Sequence, residues 1–318
     1  MALEQLLGND RLKQRLSAAF RQDRLSHSFL ITGPEGSGKH TLATILAAAM
    51  QCTEGEHRPC GECRQCRKVF SGVHPDVITV DDTEHKGVAV SVVRQARDDL
   101  YIKPNEGRRK VYLFPRAKDL NLAGQNALLK VMEEPPEYGA YLLLADNAEQ
   151  LLPTIRSRCV ELSLMPLSED VCVGALRRQF PQAEQQQLHA AYLRGGGFYG
   201  QAVRILEQGD ALLPQTEAFA AAYRKKDRLA LAEVLVPMER LKREQLLPVL
   251  EQWSELLGAA MSARAGIPAL QSAAAELGHS RTAQELLYAI GEIKHARELL
   301  ESNVSPGAVC GVLQIHLR

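Results

Sequence analysis

The chain has 318 residues, enough for about two domains, and its 38 basic and 38 acidic side chains cancel to a net charge of zero. That balance argues against a protein whose main work is to coat nucleic acid or an anionic membrane, while leaving room for a local basic face. With 45% hydrophobic and 24% charged residues, the composition is that of a folded globular chain. No apolar run reaches the ~18 residues of a membrane helix. The opening MALEQLLGNDRLKQRL carries an acid at Glu4 and lacks the apolar core of a signal peptide, so the expected compartment is the cytoplasm.

The first half alternates helix and strand signals. Residues 9–22 have helical periodicity, and HSFLIT at 27–32 reads as a short buried strand. A glycine-rich turn follows, then the Ala/Leu-rich helix TLATILAAAM. VITV at 77–80, KVYLF at 110–114 and AYLLLA at 140–145 are further strands. Between the last two, NLAGQNALLKVMEE at 121–134 predicts a helix closed by Pro135-Pro136, with Asp119 as its expected cap. This spacing predicts an α/β fold around a mainly parallel, doubly wound sheet. Beyond about residue 166 no strand signal stands out. Leu286, Leu287, Ile290, Ile293, Ala296, Leu299 and Leu300 predict the buried face of one late helix. Glycines at 195–197 mark a turn, and Gly209-Asp210 with Pro214 marks a boundary. The expected division is an α/β domain over 1–166, a small helical domain over 167–208 and a helical domain over 209–318.

Gly33-Pro34-Glu35-Gly36-Ser37-Gly38-Lys39 has the form G-x-x-x-x-G-K between a predicted strand and a predicted helix. Such a loop turns backbone N–H groups around phosphate, with the lysine adding charge and the helix its positive end. Gly33, Gly36, Ser37, Gly38, Lys39, His40 and Thr41 are therefore the candidate nucleotide-binding residues, with ATP or ADP as ligand. Two features of a hydrolytic site are missing. His40 stands where Ser or Thr would ligate Mg²⁺, and Thr41 is rotated from that direction by about 100°. A second acid is expected at a strand tip, yet KVYLF is followed by Pro115-Arg116-Ala117-Lys118 before Asp119. Phosphate binding stays open, and Mg²⁺-assisted turnover is not expected.

Four of the seven cysteines form the run C-x7-C-x2-C-x2-C: Cys52, Cys60, Cys63 and Cys66. Four thiolates suit tetrahedral Zn²⁺, with a knuckle turn at Gly61. An iron–sulfur cluster is the alternative, and His57 could replace Cys52 as a ligand. A closed four-sulfur site reads as a structural staple for an insertion at about 52–66. Arg58, Arg64, Arg67 and Lys68 keep a nucleic-acid knuckle as the other reading.

Several segments together carry a resemblance: Ser71-Gly72-Val73-His74-Pro75-Asp76, Asn126-Ala127-Leu128-Leu129-Lys130, Glu133-Glu134-Pro135-Pro136, and Leu152 to Cys159 with its Ser157-Arg158-Cys159. With the phosphate loop and the cysteine insertion, this set resembles the bacterial clamp-loader subunits of DNA polymerase III, which are AAA+ proteins. The resemblance is strong over residues 1–165, and NVSPGAV at 303–309 looks like the family's last collar helix. It implies a RecA-like AAA+ domain with a zinc insertion, a helical lid and an oligomerising collar. It also implies a pentameric ring with motor subunits and a clamp-opening subunit, acting on a sliding clamp and primed DNA. Lys130 and Glu133 read as an ordinary exposed helix pair. Gly200 stands where the family's motor carries a nucleotide-sensing arginine, whereas Arg158 matches the arginine that reaches a neighbour's ATP. The combination resembles the non-catalytic delta-prime type. The alternatives are an ATP-hydrolysing motor subunit and a zinc-dependent nucleic-acid-binding module with a vestigial P-loop.

Overall fold

Alternating apolar strands place their side chains on two faces, and the chain uses both. In the computed structural model, which describes residues 2–22, 24–54, 58–82, 88–208, 212–267, 269 and 271–317, five strands form one sheet. They are β1 (Ser28–Thr32), β2 (Val77–Thr79), β3 (Lys110–Phe114), β4 (Gly139–Ala145) and β5 (Val160–Ser163). Their order is β2-β3-β4-β1-β5, and every neighbouring pair is parallel. Parallel neighbours need crossovers, supplied here by α2 (Lys39–Gln51), α3 (Arg64–Phe70), α4 (Val90–Asp99), α5 (Leu122–Glu133) and α6 (Pro153–Arg156), while α1 (Asp10–Arg21) precedes β1. Phe29, Ile31, Leu142 and Leu144 pack one core with Leu42 and Leu46 of α2. Leu30 and Leu143 point the other way, into a second core with Val93 of α4 and Leu128 of α5. β1 and β4 are buried along their whole length, which is why both read as continuous apolar runs.

Two local expectations are corrected. Asp119 does not cap α5: the Asn121 side chain accepts the Gly124 N–H at 2.8 Å, while Asp119 ends a short 3₁₀ turn and pairs with Arg116 at 3.8 Å. β5 was not expected as a strand, because Val160, Glu161 and Ser163 are exposed at the sheet edge and only Leu162 is buried.

The rest of the chain is helical: α7 (Glu169–Gln179), α8 (Gln185–Arg194), α9 (Tyr199–Gln208), α10 (Pro214–Lys225), α11 (Arg228–Met238), α12 (Arg243–Arg264), α13 (Ser272–Ser280), α14 (Ala283–Glu301) and α15 (Pro306–His316). No strand follows β5, and no helix is long and apolar enough to cross a membrane, among the described residues. The chain divides into two compact units, Met1–Leu176 with Gly196–Gln201, and Arg177–Gly195 with Ala202–Arg318. Residues 167–208 thus fall in both, and the expected boundary at Gly209-Asp210 lies outside the described residues. On α14 the buried face runs through Leu286, Ala289, Ile293, Ala296 and Leu300. Leu287, expected on that face, is 58% exposed, because a step of one residue turns a side chain by about 100°.

The core of the second unit centres on Trp253, stacked on Phe219 with ring centroids 4.0 Å apart. Arg281 is fully enclosed, its guanidinium 3.9 Å from the ring centroid of Tyr223, which itself stacks on Phe219. It donates to the Tyr223 carbonyl at 2.9 Å and to Glu285 at 3.2 Å. Glu285 also accepts from Lys226 at 2.7 Å and from the Thr282 N–H at 2.8 Å. Lys226 foremost, then Thr282 and Arg281, hold the Glu285 carboxyl at about 2, below its ordinary 4.5. A carboxyl depressed in the folded state stabilises fully above its unfolded value and loses that contribution as pH falls toward the folded one. Unfolding midpoints should therefore drop between pH 4.5 and about 2. In Glu285→Gln that part of the acid sensitivity should disappear, as read by urea titration across this range.

Candidate functional site

Thr32 is in register with Ala145, so β1 and β4 deliver their following residues to the same end of the sheet. The Gly33 N–H donates to the Ala145 carbonyl at 3.3 Å and the loop starts there. Gly36 (φ 76°) and Gly38 (φ 97°) adopt left-handed backbone that side-chain-bearing residues resist. Gly33, Gly36, Ser37 and Gly38 thus form the turn expected from the motif, and Lys39, His40 and Thr41 are the first residues of α2.

Lys39 is nearly buried, and its ammonium has three partners: the Gly33 carbonyl, the Pro34 carbonyl at 3.0 Å and Asp146 Oδ1 at 3.1 Å. Asp146 is the first residue after β4. Its other oxygen accepts from Lys118 at 2.6 Å. Burial opposes the Asp146 charge, but Lys118 and then Lys39 outweigh it and hold the carboxyl below the usual range. Asp146 escaped the sequence reading, which looked for a strand-tip acid only after β3. After that strand stands Arg116, bonded to Asp81 at 2.7 Å. Loss of water around His40, then the Lys39 charge, lowers the His40 pKa against a small opposing effect of Asp81, so its ring is neutral near pH 7.

A second segment closes on the loop. The Gly200 N–H donates to the Gly36 carbonyl at 2.9 Å, and the Gln201 side-chain amide to the Glu35 carbonyl at 3.0 Å. The approach is backbone on backbone: a Cβ on Gly200 would lie 2.6 Å from the Gly36 Cα.

The four cysteines converge as their spacing predicts. The Sγ atoms of Cys52, Cys60, Cys63 and Cys66 all lie within 4.8 Å of one another. Four Zn–S bonds of about 2.3 Å in a tetrahedron need sulfurs about 3.8 Å apart, so the set fits such an ion with small adjustment. N–H groups already point at the sulfurs: Cys60 to Cys52 at 3.5 Å, Cys63 to Cys60 at 3.3 Å and Cys66 to Cys63 at 3.4 Å. Burial works against the Cys63 thiolate, but the Cys66 N–H and groups of Thr53 bring it down to about 6. Burial pushes the Cys66 thiol up. His57, the alternative ligand, lies outside the described residues. Of the nearby basic residues, Lys68 and Arg64 face Glu106, the latter at 3.9 Å, and Arg58 donates to the Glu54 carbonyl at 2.9 Å.

Arg158 lies in the turn between α6 and β5. Its guanidinium donates to the Thr154 carbonyl at 2.9 Å and to Glu133 at 2.8 Å, and a third of the side chain is exposed. Glu133, expected to pair with Lys130, instead orients this arginine. Val160 pairs with Phe29, so Arg158 sits where β1 begins and the phosphate loop sits where β1 ends. A five-residue strand separates the two ends by about 16 Å. Arg158 therefore cannot serve its own chain's loop.

The sheet order, the loop after β1 and the cysteine insertion define a P-loop α/β protein of the AAA+ kind. The family model for the DNA polymerase III delta subunit matches residues 8–168, and the chain belongs to this family of AAA+ clamp-loader proteins. It is 32% identical over 191 residues to DNA polymerase III subunit tau of Bacillus subtilis, covering 60% of this chain and 33% of that one. It is 35% identical over 159 residues to subunit delta' of the same organism, covering 49% and 47%. Against subunit tau/gamma of Haemophilus influenzae it is 35% identical over 165 residues, covering 52% and 24%. The chain thus spans under half the length of these relatives. A gamma subunit-related protein of Thermotoga maritima aligns over 96% of this chain and 98% of its own, at 18% identity and a TM-score of 0.46.

The contact between Gly36 and Gly200 is open to test. Gly200→Ala should lower stability by about 1–3 kcal/mol, because the new methyl meets backbone that cannot step aside. Denaturant unfolding of the variant beside the parent chain measures it.

Proposed function

We propose that the chain is a delta-prime-type subunit of the DNA polymerase III clamp loader, non-catalytic or weakly catalytic itself, which helps load the sliding clamp onto primed DNA. Its AAA+ domain over 1–166, lid over 167–208 and collar over 209–318 would join motor subunits and a clamp-opening subunit in a pentamer. Arg158 would act as an arginine finger on the neighbouring subunit's ATP, where a guanidinium stabilises charge on the γ-phosphate. The observation that carries this reading is the placement of Arg158 at the strand end opposite its own phosphate loop. The state of that loop supports it too: Lys39 is held by Asp146, and His40 stands at the metal-ligand position. The tau and gamma relatives favour a second reading, an active motor subunit. Turnover of ATP by the purified chain, abolished by Lys39→Ala, would establish that instead.

Zinc would staple the insertion through Cys52, Cys60, Cys63 and Cys66. Elemental analysis should find one zinc per chain, and iron or no metal in folded protein rejects the assignment. In the reconstituted complex, Arg158→Ala should leave assembly intact and lower DNA-stimulated ATPase by about two- to tenfold, one of several sites being impaired. An unchanged rate rejects the finger.

A further inference from the structure

A lysine ammonium has three N–H donors, and those of Lys39 have three partners within the protein. Two are carbonyls of the loop itself; the third is a carboxylate. The position of that carboxylate follows from the sheet, since Asp146 directly succeeds Ala145, the register partner of Thr32. Its backbone is held as well: the Asp146 and Asn147 N–H groups both donate to Gln150 Oε1 at 3.2 Å. Lys118 secures the second carboxylate oxygen from the β3 side. An anion is thus already built into a loop whose sequence is suited to anions.

We infer that Asp146 is a resident counter-anion for Lys39 and decides what the loop accepts. The cradle for a nucleoside polyphosphate is retained, but a phosphate must displace a carboxylate from the lysine and then lie beside its negative charge. The device works against ligand rather than against fold. Removing the charge while keeping the shape would leave Lys39 with a neutral partner that a phosphate oxygen can replace. The inference rests on the non-catalytic reading of this loop, and the two fail separately: ATP turnover by the purified chain ends that reading, whereas ligand affinity decides this one.

The experiment is titration of the full-length chain with ADP and with inorganic pyrophosphate, each with and without Mg²⁺. The parent chain should bind both weakly. Asp146→Asn should bind both at least about tenfold more tightly, and adding Lys39→Ala should cancel the gain. Asp146→Ser carries the same expectation and guards against a folding defect peculiar to asparagine. Tight ADP binding by the parent chain, equal affinity of parent and variants, or a gain that survives Lys39→Ala overturns the inference. Unfolding of both Asp146 variants also overturns it, since the carboxylate would then be a structural support.

Discussion

Parallel pairing of β1 with β4 governs what surrounds it. Once Thr32 lies beside Ala145, the chain leaves both strands at one height, so Gly33 and Asp146 begin as neighbours. Lys39 heads the next helix and turns back toward them. A buried ammonium without a counter-charge would be strongly destabilising, and Asp146 relieves this without any ligand. The pairing of β1 with β5 sets the other end. There Phe29 meets Val160, and the turn before β5 presents Arg158. The same central strand thus separates a cation turned inward from one held at the surface.

The lysine and the glycine pair restrict the loop from different sides. Asp146 occupies the charge, and the Gly36–Gly200 approach occupies the space next to the loop. Neither depends on the other, since one is an ion pair fixed by sheet register and the other a contact between two backbones. An arginine at position 200 could not sit in that contact without moving the loop, because even a methyl carbon would lie 2.6 Å from the Gly36 Cα. The absence of a side chain there is therefore a packing requirement.

What could be read beforehand was local. Strands β1 to β4, the glycine-rich turn and the cysteine spacing each lie within a short stretch, and their residue types carry the signal directly. β5 was missed because an edge strand buries one residue in four and leaves little alternation to detect. Asp146 was missed because its meaning comes from a partner 107 residues away. The Arg158–Glu133 pair has the same character, and spacing suggested the local partner Lys130 instead. Leu287 was misplaced for a smaller reason: a leucine beside the helical stripe resembles a member of it, whereas the smaller Ala289 lies within the stripe.

The cysteine cluster and the phosphate loop occupy the two ends of one helix. α2 begins at Lys39 and ends at Gln51, with Cys52 following at once. Cys66 returns on α3 with its sulfur 3.7 Å from the Ala48 carbonyl. Gln51 accepts the Arg108 and Arg109 N–H groups at 3.0 and 3.3 Å, and Asp76 accepts those of Asn105, Glu106 and Gly107 at 2.6–2.9 Å. The segment leading into β3 is therefore tied to the cysteine end of α2 by Gln51 and to the start of β2 by Asp76. A metal held by the four thiols would pin the insertion to that end, about 20 Å from Lys39 along the helix axis. The loop has its own restraints in Asp146 and Gly200, so the cluster bears on how the insertion and the entry to β3 are held rather than on what the loop binds.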